Sequence, residues 1–168
     1  MSIQMTFLEN QNICTWLTCM VGFRLKLINA KNIECYAVRY LENNPAYTNP
    51  YIAELAIGPK NGKADYLIEI EIDHLLSKIV ARLGYSLSEG SLEYEKRKLR
   101  YLLLNELAQA KEHNENIEEK IYSLYQTFNY PEDMSEFVQC SCCSAWYNDE
   151  FRERFLAFLT QEKNILFL

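Results

Sequence analysis

The sequence is poor in the residues that punctuate a chain. Glycine occurs five times and proline four times in 168 residues, too few for turn-dense sandwiches and barrels or for a collagen-like chain. Histidine occurs twice and there is no glycine-rich phosphate loop, which leaves little material for an enzyme. Basic residues are the minority, 17 Lys and Arg against 23 Asp and Glu, for a net charge of −6. That field disfavours nucleic acid or an anionic membrane as main partner, because phosphate binding needs a basic footprint. Long hydrophobic runs are also missing. The longest, Ile13 to Phe23, is about half the ~20 residues of a membrane span, and no basic segment precedes it as in a signal peptide. These absences predict a cytoplasmic chain without a membrane partner. What is present is 49% hydrophobic and 13% aromatic residues, enough to build a core rather than a disordered chain. At roughly 150 residues per domain, residues 1–168 make one domain.

Hydrophobic spacing and capping residues predict an all-α fold, a single compact multi-helix domain of about six to seven helices. Residues 1–12 are polar and read as a loosely ordered N-terminus. Ile13, Trp16, Leu17, Met20 and Val21 have helical offsets and predict a helix ending near Gly22. Asn29 caps a second helix, Ala30 to about Asn43, stopped by Asn44-Pro45 because the residue before proline avoids the helical region. Asn49-Pro50 is an N-cap followed by proline at the first helical position, opening a helix to Ile57. The stretch Tyr66 to Ile72 alternates like a strand at Ile68, Ile70 and Ile72. A helix from Ala64 to Leu83, ended by Gly84, is the better reading, because a lone strand has nothing to pair with. Ser91 caps a fifth helix, Leu92 to about Glu112. Asn114 or Asn116 starts a sixth through Ile117, Ile121, Leu124 and Phe128, broken at Asn129-Tyr130-Pro131. Pro131-Glu132-Asp133 suits a helix first turn, with acids at the positive helix end. Asn148 caps a last helix, Asp149 to about Lys163, and Ile165 to Leu168 form an apolar tail that docks on the core.

Few residues are arranged for chemistry. The six cysteines are Cys14, Cys19, Cys35, Cys140, Cys142 and Cys143; in a cytosolic chain with a full core these read as small buried hydrophobes. Cys140, Cys142 and Cys143 crowd three thiols into four positions. A zinc- or thiol-dependent protein built on them is the alternative reading, with a fourth ligand from His74, His113 or a distant cysteine, although no structural zinc spacing matches. Neither histidine sits in a nucleophile–base arrangement, so no catalytic residue, metal ligand or cofactor is assigned. Glu69, Glu71 and Asp73 supply hard oxygen donors, but i,i+2 residues diverge on a helix, which favours a solvated face. Lys96, Arg97, Lys98 and Arg100 form the only basic cluster. Pairing of Glu93 with Arg97, or with acids elsewhere in the fold, is a plainer account of it than a phosphate grip.

The acidic surplus is concentrated. Glu112, Glu115, Glu118, Glu119, Glu132, Asp133 and Glu136 lie within 25 positions, offset there only by Lys120 and interleaved with Tyr122, Tyr125, Phe128 and Tyr130. Such a span is either an ordinary solvent face over core aromatics or a surface for a basic protein, where aromatics anchor and carboxylates steer. The candidate partner-binding set is Glu115, Glu118, Glu119, Tyr122, Tyr130, Glu132, Asp133 and Glu136.

Three segments carry a resemblance. They are Asn29 to Ala37 running on to Leu41-Glu42-Asn43-Asn44-Pro45; Lys98 to Leu107; and Ile121 to Met134, with its Tyr130-Pro131-Glu132-Asp133-Met134 followed by Phe137-Val138. Together they span residues 25–138 and resemble a family of small bacterial helical proteins of formerly unknown function found in polymorphic toxin loci. The resemblance implies an immunity protein that neutralises a cognate toxin domain of the contact-dependent growth inhibition or a related class, often a nuclease. It implies a basic protein partner, no cofactor and no catalysis. Where the family pattern continues with a Tyr-Met-Pro element, this chain has Gln139-Cys140-Ser141-Cys142-Cys143, so no role carries over to those positions.

Overall fold

The computed structural model describes residues 13–46, 49–58, 64–109, 117–138 and 149–167. Among the described residues every regular element is helical, as the hydrophobic spacing predicts, and seven α-helices have eight or more residues. The chain divides into two compact units, Met1–Glu95 and Lys96–Leu168.

In the first unit, α1 spans Trp16–Arg24, α2 Ala30–Asn43, α3 Pro50–Ile57 and α4 Asp65–Arg82. Helix α1 starts three residues later than Ile13 because Thr15 and Thr18 form a reciprocal capping box: Thr18 N donates to Thr15 Oγ1 at 3.1 Å and Thr15 N to Thr18 Oγ1 at 3.0 Å. It also runs past Gly22 to Arg24. Asn29 and Asn49 cap α2 and α3 as the sequence predicts, accepting from Asn32 N at 2.9 Å and Tyr51 N at 3.0 Å. The alternation around Ile70 is not a strand. Ile72 is buried whereas Ile70 is 64% exposed, and the buried set Ile72, Leu75, Leu76, Ile79 and Val80 follows the helical period. Gly84, at φ +73°, ends α4 in a Schellman turn, with Gly84 N donating to Ala81 O and Tyr85 N to Val80 O.

Helix α2 packs on α3, α1 on α4 and α3 on α4. Trp16, Met20, Ile28, Ile33, Ile52, Leu76 and Ile79 are fully buried. Trp16 meets Tyr36 edge-on at 4.9 Å and Tyr40 at 5.3 Å. One charged group lies among them. Thr18 Oγ1 donates at 2.6 Å to Glu95 Oε2, with both residues buried.

Helix α5 spans Glu89–Gln109 and starts earlier than its predicted first residue, Leu92. Ser88, not Ser91, is the capping residue: its carbonyl accepts from Leu92 N at 3.0 Å and its hydroxyl from Ser91 N at 3.3 Å. Both serines fit a cap, and Ser91 becomes the third helical residue. In the second unit, α6 spans Ile117–Thr127, a 3₁₀ turn Glu132–Met134, α7 Ser135–Val138 and α8 Asp149–Phe167. Pro131 stands just before the 3₁₀ turn rather than inside a helix. The predicted apolar tail is the last turn of α8, with Leu166 buried and Ile165 and Phe167 partly exposed. The predicted caps Asn114, Asn116 and Asn148, and residues 1–12, lie outside the described residues.

Candidate partner-binding surface

Among the described residues of the second unit, the end of α6 builds an aromatic surface. The helix closes in a Schellman turn without glycine: Asn129 N donates to Gln126 O at 3.0 Å and Tyr130 N to Tyr125 O at 2.8 Å. Asn129 tolerates its φ of +59°, but Tyr130 follows at +57°, a left-handed conformation that disfavours a bulky side chain. The turn sets the Tyr130 ring edge-on to Tyr125 at 5.2 Å, and Tyr125 lies 6.5 Å from Tyr122. Three tyrosines thus form a short row, with Tyr122 44% and Tyr130 53% exposed and Tyr125 half-buried between them. Tyr125, left out of the predicted set, holds its two exposed neighbours. Its spacing of three from Tyr122 was the signal available.

The predicted acids fall into three groups. Glu119 and Glu132 are exposed near the tyrosines in sequence. Asp133 is committed within the fold, where its Oδ2 accepts from the Nη2 of Arg100, a residue almost wholly buried. Burial pushes its carboxyl above the ordinary range and Glu162 adds to this, against the pull of Arg100 and Arg97. Glu118 lies on α6 and Glu136 on α7, with side chains outside the described residues, as is Glu115 altogether.

The basic cluster proves largely inward-facing. Arg97 grips Glu162 of α8 with two hydrogen bonds, Nε to Oε2 at 2.7 Å and Nη2 to Oε1 at 2.6 Å. Glu162 is buried and Arg97 only 32% exposed, and this fork raises the Arg97 pKa despite desolvation. Lys98 and Arg100 are buried. These positions offer little to a phosphate backbone.

The carboxylates of α4 are similarly committed. Asp73 takes Arg24 through two bonds, at 2.7 and 3.2 Å, and Glu69 takes Lys26 at 2.5 Å. A shallow hollow lies between α2, α3 and α4, with Leu55, Ile72 and Leu75 in its wall and Glu34, Glu54 and Glu71 around it. Glu34 pairs with Lys31 at 2.9 Å. Among the described residues no group of three His, Cys, Asp or Glu side chains is arranged to hold a metal ion. His74 is exposed; His113, Cys140, Cys142 and Cys143 lie outside the described residues.

A family model described as an uncharacterized protein conserved in bacteria, DUF2247, matches residues 5–163. The chain belongs to this family. The match takes in all three segments that carry the resemblance and agrees with it at the level of a bacterial family of unassigned function. No curated protein and no solved structure matches the chain. For this DUF2247 member, no helix among the described residues is long and apolar enough to cross a membrane.

Proposed function

We propose that this chain is an immunity protein. It binds a cognate bacterial toxin domain, of the contact-dependent growth inhibition or a related polymorphic class, and neutralises it by stoichiometric occlusion without turnover. The observation that supports this reading is the tyrosine row, with Tyr122 and Tyr130 exposed, Tyr130 in a strained backbone conformation, and the exposed carboxylates Glu119 and Glu132 in the same segment. Strain retained at an exposed aromatic is characteristic of sites kept for contact rather than packing, and tyrosine is enriched among binding anchors. The toxin side is a basic surface, as on a nuclease that holds nucleic acid. The encounter belongs in the bacterial cytoplasm, where a nuclease would meet its substrate.

The reading predicts a toxin gene beside this one, and the test uses the toxin domain it would encode, in an inactive form. Changing Tyr122→Ala and Tyr130→Ala removes two anchors of about 2 kcal/mol each, and each weakens Kd about 30-fold. Changing Glu119→Gln and Glu132→Gln slows association chiefly at low salt, where the Debye length is ~30 Å rather than ~8 Å. Unchanged affinity in the tyrosine pair variant would remove this surface from the reading.

A further inference from the structure

We propose that Cys14 and Cys19 are a modification site, a dithiol that a two-electron oxidant converts to an intramolecular disulfide. Their sulfurs are 3.4 Å apart in the reduced chain. A disulfide needs about 2.05 Å, so the two sulfurs close by ~1.4 Å. Their approach is built in. Cys14 directly precedes the Thr15 cap, and Cys19 N donates to Thr15 O at 2.9 Å in the first turn of α1. The Tyr36 hydroxyl donates to Cys14 O at 3.2 Å and fixes that residue from α2. Burial holds this phenol protonated, far above its ordinary range. The helix start and a long-range bond therefore position both thiols.

Exposure sets the order of attack. Cys14 is partly exposed, whereas Cys19 is wholly buried, so Cys14 meets the oxidant first and Cys19 resolves. With the diazene diamide, the Cys14 thiolate adds to one nitrogen of the N=N bond. The Cys19 thiolate then attacks the Cys14 sulfur, forming the S–S bond and releasing the hydrazine. The two thiol hydrogens end on the two nitrogens, and the two electrons reduce N=N to N–N. Hydrogen peroxide acts equivalently through a Cys14 sulfenic acid, and each of its two steps releases one water. The product ties the residue ahead of the cap to the residue that closes the first turn of α1.

The sequence makes the test simple, because the first Lys or Arg is Arg24. One tryptic peptide, Met1 to Arg24, contains both cysteines, and Cys35 falls in another. The whole native protein is dosed with diamide, freed of oxidant, unfolded, alkylated with iodoacetamide and digested. Proximity predicts that the first peptide loses two hydrogens and escapes alkylation at a dose about tenfold below the one that consumes the exposed Cys35. Dithiothreitol should restore both alkylation sites. In C14S, Cys19 should stay reduced and alkylate only after unfolding. Two alkylated cysteines in this peptide at a dose that consumes Cys35, or a mixed disulfide of Cys14 with another cysteine, would overturn the proposal.

Discussion

Removing Arg97 and removing Glu162 should destabilise the protein unequally. The two form a forked pair in which Glu162 is 3% exposed and Arg97 32%. Breaking a buried pair from one side typically costs about 3–5 kcal/mol, because a charge is left without its counter-ion. Glu162→Leu strands Arg97, which is nearly a third open to water and still attracted by Asp133, so its loss should be near 2 kcal/mol, below that range. Arg97→Leu strands Glu162 in the interior, where the residue as a whole is 2% exposed, so its loss should reach ~4 kcal/mol. The double variant leaves no orphan charge and should lie within about 1 kcal/mol of the parent. Urea unfolding of all four proteins closes the cycle and yields the coupling. Equal losses in the two single variants, or a double variant as unstable as the worse single, would mean that no stranded charge sets these losses.

Two further substitutions probe other parts of the fold. Thr18→Val removes the hydroxyl that donates to the buried Glu95 carboxylate and half of the α1 capping box; it should cost about 1–3 kcal/mol in urea unfolding, with Thr18→Ser retaining most of the stability. Tyr130→Gly relieves a left-handed φ worth about 1–2 kcal/mol but loses an edge contact of ~1 kcal/mol and adds unfolded-chain entropy of ~0.5–1 kcal/mol. Stability should therefore move by less than about 1 kcal/mol while toxin binding weakens, and a loss above ~3 kcal/mol would mean the ring serves packing instead.

The parts of the fold that were legible in the sequence are local. Asn29 and Asn49 act on backbone amides two or three residues away, so type and position alone reveal them, and α2 and α3 begin where these caps predict. Helix α4 was readable because its buried positions keep the helical period even where three isoleucines alternate. Ser88 and Ser91 are equivalent locally, and their order emerges only from the hydrogen bonds made. That the basic cluster answers acids elsewhere in the fold was readable, but which acids was not, since Arg97 finds Glu162 and Arg100 finds Asp133 across 65 and 33 positions. The same distance explains Asp133, which belongs to the acidic segment by sequence yet serves a buried guanidinium. The tyrosine row was half legible: Tyr122 and Tyr125 share a helix face, but a Schellman turn without glycine carries no compositional sign.

Neutralisation by occupancy, as proposed for this chain, requires one chain for each toxin domain. The most direct measurement expresses any toxin domain that a neighbouring gene encodes, titrates its active form with the purified chain and follows the toxin's own activity. Stoichiometric occlusion predicts a linear fall to an endpoint at one chain per toxin, delayed in the Tyr122→Ala, Tyr130→Ala variant. Toxin activity that survives excess chain, or that is abolished by a small fraction of an equivalent, would contradict it.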